Sequence, residues 1–187
     1  MEKLTFVTGN ANKVMEARDI LGNLGIEVEQ DNCGYPELQE DSLEPIARYG
    51  ARYAADLSGK EVIVEDAGLF IDALGGFPGP YSAYVANTIG NPGILKLLEC
   101  VENRRAKFMS VVGYCKPNGT AITFSGFIEG TITQTEEGTG GFGFDPIFAV
   151  DGVTFGIRGD KEKNTMSHRS KSLQAFAKWY VNRDVHE

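Results

Sequence analysis

The sequence predicts an α/β layer fold in one domain spanning 1–187. Three observations carry this: a strand–turn–helix–strand opening, a hairpin near the middle, and a capped amphipathic helix at the end. Leu4-Thr5-Phe6-Val7 reads as a short buried strand, and Thr8-Gly9-Asn10 as the turn after it. A helical period then begins at Asn12, with Val14, Ala17, Leu21 and Leu24 on one face and Gly25 as its stop. Ile26-Glu27-Val28-Glu29 alternates apolar and polar, as a half-buried strand does. A second helix is expected from Ser42, with Leu43, Ile46, Ala47, Gly50, Ala54 and Leu57 facing the core.

Val62-Ile63-Val64 is predicted as a short strand with Glu65-Asp66 at its carboxyl end. Glycine and proline in Gly75-Gly76-Phe77-Pro78-Gly79-Pro80 exclude regular structure there. Pro92 suits the first turn of a helix bearing Ile94, Leu97, Leu98 and Val101. Pro117-Asn118-Gly119-Thr120 between two β-like runs, 108–114 and 121–124, signals a hairpin. Ser167 can cap a last helix that carries Leu173, Phe176, Ala177 and Tyr180.

Composition narrows the function classes. With 187 residues, 42% hydrophobic and 24% charged, the chain can bury a sizeable core. No apolar run reaches the roughly eighteen residues of a membrane span, and no signal peptide is apparent, so a cytoplasmic protein is expected. A net charge of −8 argues against a nucleic-acid surface. Cys33, Cys100 and Cys115 show no metal-ligand spacing and read as small buried hydrophobes. Arg158, Lys161, Lys163, Arg169 and Lys171 cluster with His168; a solvated run explains them on composition alone, and an anion site is the alternative.

Four stretches could carry chemistry. Thr8-Gly9-Asn10-Ala11-Asn12-Lys13 joins strand to helix, where free amides, the helix dipole and Lys13 suit a phosphate; an ordinary turn fits as well. Glu65-Asp66 could hold a hard cation or deprotonate a water, or form a solvated strand end. Glu37 reads by default as a surface carboxylate. In 141–146, Phe142, Phe144 and Asp145 amid glycines suit a flat base, while phenylalanines there can equally be core anchors. His168 could be a surface histidine, and the other histidine, His186, lies in the tail.

The order of these motifs resembles that of the inosine/xanthosine triphosphate pyrophosphatase family, from Phe6 to about Phe176. The family's motifs stand here as Thr8-Gly9-Asn10-Ala11-Asn12-Lys13, as Val64-Glu65-Asp66-Ala67-Gly68-Leu69 followed by Gly75 to Ser82, as Gly141-Phe142-Gly143-Phe144-Asp145-Pro146-Ile147-Phe148, and as Glu162-Lys163-Asn164-Thr165-Met166-Ser167-His168-Arg169. The resemblance implies an α/β fold of two lobes around a long mixed β-sheet, with an active-site cleft between them, and a homodimer. It implies hydrolysis of ITP, dITP and XTP to monophosphate and pyrophosphate with Mg²⁺. Glu37 and Asp66 would hold the metal, and Asp66 would also be the base for the attacking water. Thr8, Gly9, Asn10, Ala11, Asn12 and Lys13 would bind phosphates, with Arg52 in the place of a lysine on the second helix. Phe142, Gly143, Phe144, Asp145, Lys163, His168 and Arg169 would form the nucleoside pocket.

Two positions depart from the family pattern. Ala67 stands where many members carry Ser or Thr, leaving only its backbone to contact a phosphate, and Phe144 replaces a Tyr or Trp. On base choice, an arginine such as Arg169 bonded to a position-6 acceptor would be unpaired opposite adenine, which disfavours ATP by about 10⁴-fold. Guanine shares that acceptor, so Arg169 does not explain how GTP is excluded. A pyrophosphatase for other nucleotides and a silent nucleotide-binding protein are the rival classes.

Overall fold

The computed structural model describes residues 2–183. One eight-stranded mixed sheet runs through them in the order β2 (Ile26–Asp31), β1 (Glu2–Val7), β3 (Val62–Ile71), β5 (Arg105–Cys115), β6 (Ile122–Ile132), β7 (Phe148–Val150) and β8 (Val153–Thr154), with β4 (Pro78–Gly79) paired to β3. β1 is parallel to both β2 and β3, and every later pairing is antiparallel. The parallel part needs crossover helices, and α1 (Ala11–Gly22) and α2 (Leu43–Ser58) supply them.

Two lobes share the long strands. In the first, α1 and α6 (His168–Tyr180) pack on one face around Leu4, Phe6, Ile63, Val112 and Phe176, and α2 covers the other through Ala47, Ala51, Val62 and Val111. In the second, α3 (Ser82–Thr88) and α4 (Gly90–Leu97) enclose Leu69, Phe108, Ile128, Phe148 and Phe155 with the far ends of β3, β5 and β6. The α5 helix (Asp160–Met166) leads into α6, whose cap is Ser167 accepting from the Ser170 amide. The hairpin closes between β5 and β6 as the turn residues imply, with the Gly119 amide donating to the Lys116 carbonyl.

Several expectations need correction. Leu24, Leu57 and Leu97 are exposed: α1 ends at Gly22, three residues before Gly25, and Leu57 and Leu97 sit in the last turns of α2 and α4. Glu16 and Ile20 are buried on α1 instead, and Ala51 and Ala55 on α2. The stretch 75–80 holds the short strand β4. Cys115 alone is buried; Cys33 and Cys100 are exposed. His186 lies outside the described residues.

Candidate active site

A notch in the sheet makes the cleft. β1 pairs with β3 at Val62 and Ile63 and then ends at Val7, whereas β4 takes up that edge of β3 again at Leu69 and Phe70. Between them, residues 65–68 have β5 on one side and no strand on the other. The turn after β1 and the start of α1 stand at this gap, at the carboxyl end of a parallel strand, where α/β folds place ligands.

Glu65 and Asp66 therefore lie in mid-strand, not at a strand end. The β5 ladder continues through Ala67 and Gly68 and holds the backbone extended past the apolar run. Alternation turns the two carboxylates to opposite faces. Glu65 faces α1 and α6. Its side chain is fully buried, accepts from Ser110 Oγ at 2.6 Å, and pairs with Lys13 Nζ at 2.8 Å and Arg169 Nε at 3.2 Å. Burial works against its charge, yet Arg169 and Lys13 hold it well below the usual carboxylate range. Lys13 Nζ also donates to the Glu65 carbonyl at 2.7 Å, satisfying an edge group that no strand covers.

Asp66 faces the α2 side and accepts from the Tyr35 hydroxyl at 3.2 Å. Its carboxyl is pushed up to about 6, first by burial, with the charges of Glu65 and Glu37 adding and Lys13 opposing. Glu37 itself is exposed, two residues beyond Tyr35.

The cavity at the notch has a volume of ≈ 390 Å³, within the range of small-molecule sites. Lys13, Ala67, Phe142, Gly143, Lys163 and Arg169 all line it, and Glu65 lies between the charges of Lys13 and Arg169. Lys163 and Arg169 belong to a buried ionic network. Lys163 Nζ bridges Glu16 Oε1 at 2.9 Å and Asp145 Oδ2 at 2.8 Å, and Arg169 pairs with the second Glu16 oxygen. Asp145 Oδ2 also accepts from the Phe142 amide at 2.8 Å. That closure requires glycine at 141: φ is +69°, and a Cβ would fall 2.0 Å from the same oxygen. The Phe142 ring lies 4.7 Å from Lys163 Nζ and 5.4 Å from the Arg169 guanidinium. Burial raises Asp145, and burial followed by the nearby Arg169 charge keeps His168 well below its ordinary value, as a neutral ring stacked on Phe108 at 4.7 Å.

Asp66 and Glu37 are not among the residues that line this cavity, Asp66 facing the α2 side of the sheet and Glu37 standing exposed on the stretch before α2. The other expected residues divide into three groups. Asn10, Asn12, Lys13, Ala67, Phe142, Gly143, Phe144, Asp145, Lys163, His168 and Arg169 all line the one cavity. Phe144 is also a buried part of the second lobe's core, so it anchors as well as lines. Thr8 and Gly9 stand in the adjoining turn and Ala11 opens α1; part of their hydrogen-bonding capacity is spent, because Thr8 Oγ1 accepts from the Asn10 amide, and Asn10 Oδ1 from those of Asn12 and Lys13. Arg52 is not brought to the cavity; it is exposed on α2, and its charge acts on Cys115. The basic run splits as well. Lys163, His168 and Arg169 turn inward, Arg158 pairs with Glu162, and Lys171 donates to the Phe127 carbonyl.

Sequence reasoning missed Glu16 and Tyr35 and gave Glu65 no role of its own. A carboxylate inside the apolar stripe of α1 was the available signal for Glu16. Nothing local marks Tyr35.

Fold and cleft together define an α/β protein with a cavity at a break in its sheet. The chain belongs to the Ham1 family, whose model matches residues 4–179. It is 59% identical to a dITP/XTP pyrophosphatase of Methanopyrus kandleri over 96% of this chain and 97% of that one. With a dITP/XTP pyrophosphatase of Methanosarcina mazei it shares 53% identity over 97% and 98%. The Ham1 protein of Staphylococcus aureus superposes with a TM-score of 0.83 at 26% identity, covering 97% of this chain and all of that one.

Proposed function

We propose that the chain hydrolyses non-canonical purine nucleoside triphosphates, namely ITP, dITP and XTP, to the monophosphate and pyrophosphate, and so cleanses the nucleotide pool. One observation carries the reading: a single cavity joins Lys13 and a helix N-terminus to a wall of Phe142, Lys163 and Arg169, in a chain this similar to proteins of that activity. The triphosphate would lie toward Lys13 and the turn 8–13, and the base against Phe142. Arg169, aimed by Glu16 and Glu65, would donate to the position-6 oxygen. Asp66 would take the proton of the water that attacks the α-phosphorus, with pyrophosphate leaving. Its raised proton affinity near neutrality suits a base.

The donor set fits Mg²⁺. Among the described residues no ready cluster of three or more His, Cys, Asp or Glu ligands exists, and Mg²⁺ is commonly held by one or two carboxylates plus substrate phosphates. Asp66 and Glu37 offer those oxygens, and a cation would relieve the mutual repulsion that helps raise Asp66. When bound it would supply charge neutralisation at the leaving pyrophosphate. The same reading has one working domain over 1–187, a homodimer, and action in the cytoplasm.

Pyrophosphate release from ITP, XTP, GTP, ATP and dUTP, with and without EDTA, tests it. ITP and XTP should lead, EDTA should stop them, and Asp66→Asn should cut turnover on the order of 10³-fold while nucleotide still binds. Equal rates on ATP and ITP would sink the substrate assignment, and an active Asp66→Asn the role of that carboxylate.

A further inference from the structure

Tyr35 belongs to a stretch without regular structure, residues 32–42, that links β2 to α2 and carries Glu37. Such a stretch has no ladder or helix to fix it, so a metal-binding carboxylate on it needs an anchor from elsewhere. Tyr35 makes two contacts that serve. Its ring is seated on the backbone of α2 at Gly50, where an added Cβ would fall 2.6 Å from the Tyr35 Cε2 atom. Its hydroxyl crosses to β3 and donates to Asp66, at 3.2 Å from Oδ2 and 3.4 Å from Oδ1. Among the described residues Tyr35 is the only hydrogen-bond donor to the Asp66 carboxylate.

We propose that Tyr35 is a positioning residue: seated on Gly50, its hydroxyl ties the Glu37-bearing segment to the Asp66 carboxylate and fixes the spacing of the two groups. This rests on the reading of Glu37 and Asp66 given above. The physical logic is that of any support behind a metal ligand. A carboxylate on a strand still rotates about its side-chain bonds, and one directed O–H donor selects an orientation. The absence of a side chain at position 50 is part of the same device, because only glycine lets an aromatic ring come close enough to α2 for its hydroxyl to reach β3.

Two variants separate the tether from mere packing. Tyr35→Phe keeps the ring and deletes the donor. Its kcat for ITP should fall about tenfold with KM within about twofold, because the lost contact acts on the reacting end and not on base recognition. Mn²⁺ affinity of the nucleotide-free protein, read by electron paramagnetic resonance, should weaken about tenfold. Gly50→Ala keeps the hydroxyl and displaces the ring; it should reproduce both defects with a lowered thermal midpoint, since the lost ring packing outweighs alanine's better helix propensity. Parent-like kcat and Mn²⁺ affinity in Tyr35→Phe would overturn the tether, as would a loss confined to the thermal midpoint. If Asp66→Asn is itself active, the site reading fails instead; if it is inert while Tyr35→Phe matches the parent, only the tether fails.

Discussion

The residues assigned above to the base and those assigned to the phosphates follow opposite electrostatic plans. At the base end, Glu16, Asp145, Lys163 and Arg169 are buried and paired among themselves before any ligand arrives. At the phosphate end, Gly9, Ala11, Asn12 and Glu37 are exposed, and Asp66 meets carboxylates at 65 and 37 with Lys13 as the opposing charge. The first end is a finished wall, and the second waits for charge to be brought in. A buried ion network contributes little net stability when intact but costs heavily when one partner is removed. An under-compensated carboxylate does the reverse: it costs stability and supplies reactivity. Stability and turnover should therefore separate along the cleft.

The largest expected contrast sets Asp66 against Glu16. Asp66→Asn removes turnover and leaves the urea midpoint unchanged or higher, because an uncomfortable charge is gone. Glu16→Gln, isosteric and one charge poorer, leaves Lys163 and Arg169 to share what remains. It should cost about 3 kcal/mol in urea unfolding. A Glu16→Gln protein as stable as its parent would break the comparison, since the wall would then not depend on its internal pairs.

Much of this fold is legible along the chain because its signals are local. The turn after β1, the 117–120 hairpin, the Ser167 cap and the apolar face of α6 are each decided by neighbours within a few residues. Glu65-Asp66-Ala67-Gly68 misleads for the opposite reason. Two charges and a glycine look like a strand's end, and only the ladder to β5, some forty-five residues away, keeps the backbone extended. Leu24 continues the helical period past the end of α1, and Leu57 keeps it inside the last turn of α2 yet is exposed, so pattern alone overstates the buried face near a helix end. In the site, motif order finds the groups that line the cavity but not those that hold them. Glu16 meets its partners 147 and 153 positions on, and Tyr35 reaches Asp66 across 31. The choice of Arg52 shows the same limit, since its place on α2 is legible and its direction away from the cavity is not.

A finer test asks whether the wall's geometry, and not its charge alone, reads the base. Arg169 presents Nη1 to Glu16 and Nε to Glu65, a two-sided grip that a planar fork can make and an ammonium cannot. Arg169→Lys keeps the charge and loses the fork. The ratio of kcat/KM for ITP over ATP should shrink by about tenfold, with a smaller stability loss than Glu16→Gln. An unchanged ratio would move base recognition to another group.

The smallest effect concerns His168, which the wall holds neutral. The ring is buried against Phe108, and Arg169, Lys163 and Lys13 all disfavour its protonation while Glu65 favours it. An unfolded chain takes up that proton below about pH 6.5, and the folded chain resists it. Stability from this residue is thus complete above pH 6.5 and drains away as pH falls below it. Between pH 7 and 5.5 the parent should lose about 1 kcal/mol more than His168→Phe, which keeps a ring on Phe108 and carries no titrating group. Asp145 titrates in both proteins, so the difference between their urea midpoints isolates the histidine. Parallel pH curves would mean that the folded wall admits a proton at 168, and that the base end is less finished than its ion pairs suggest.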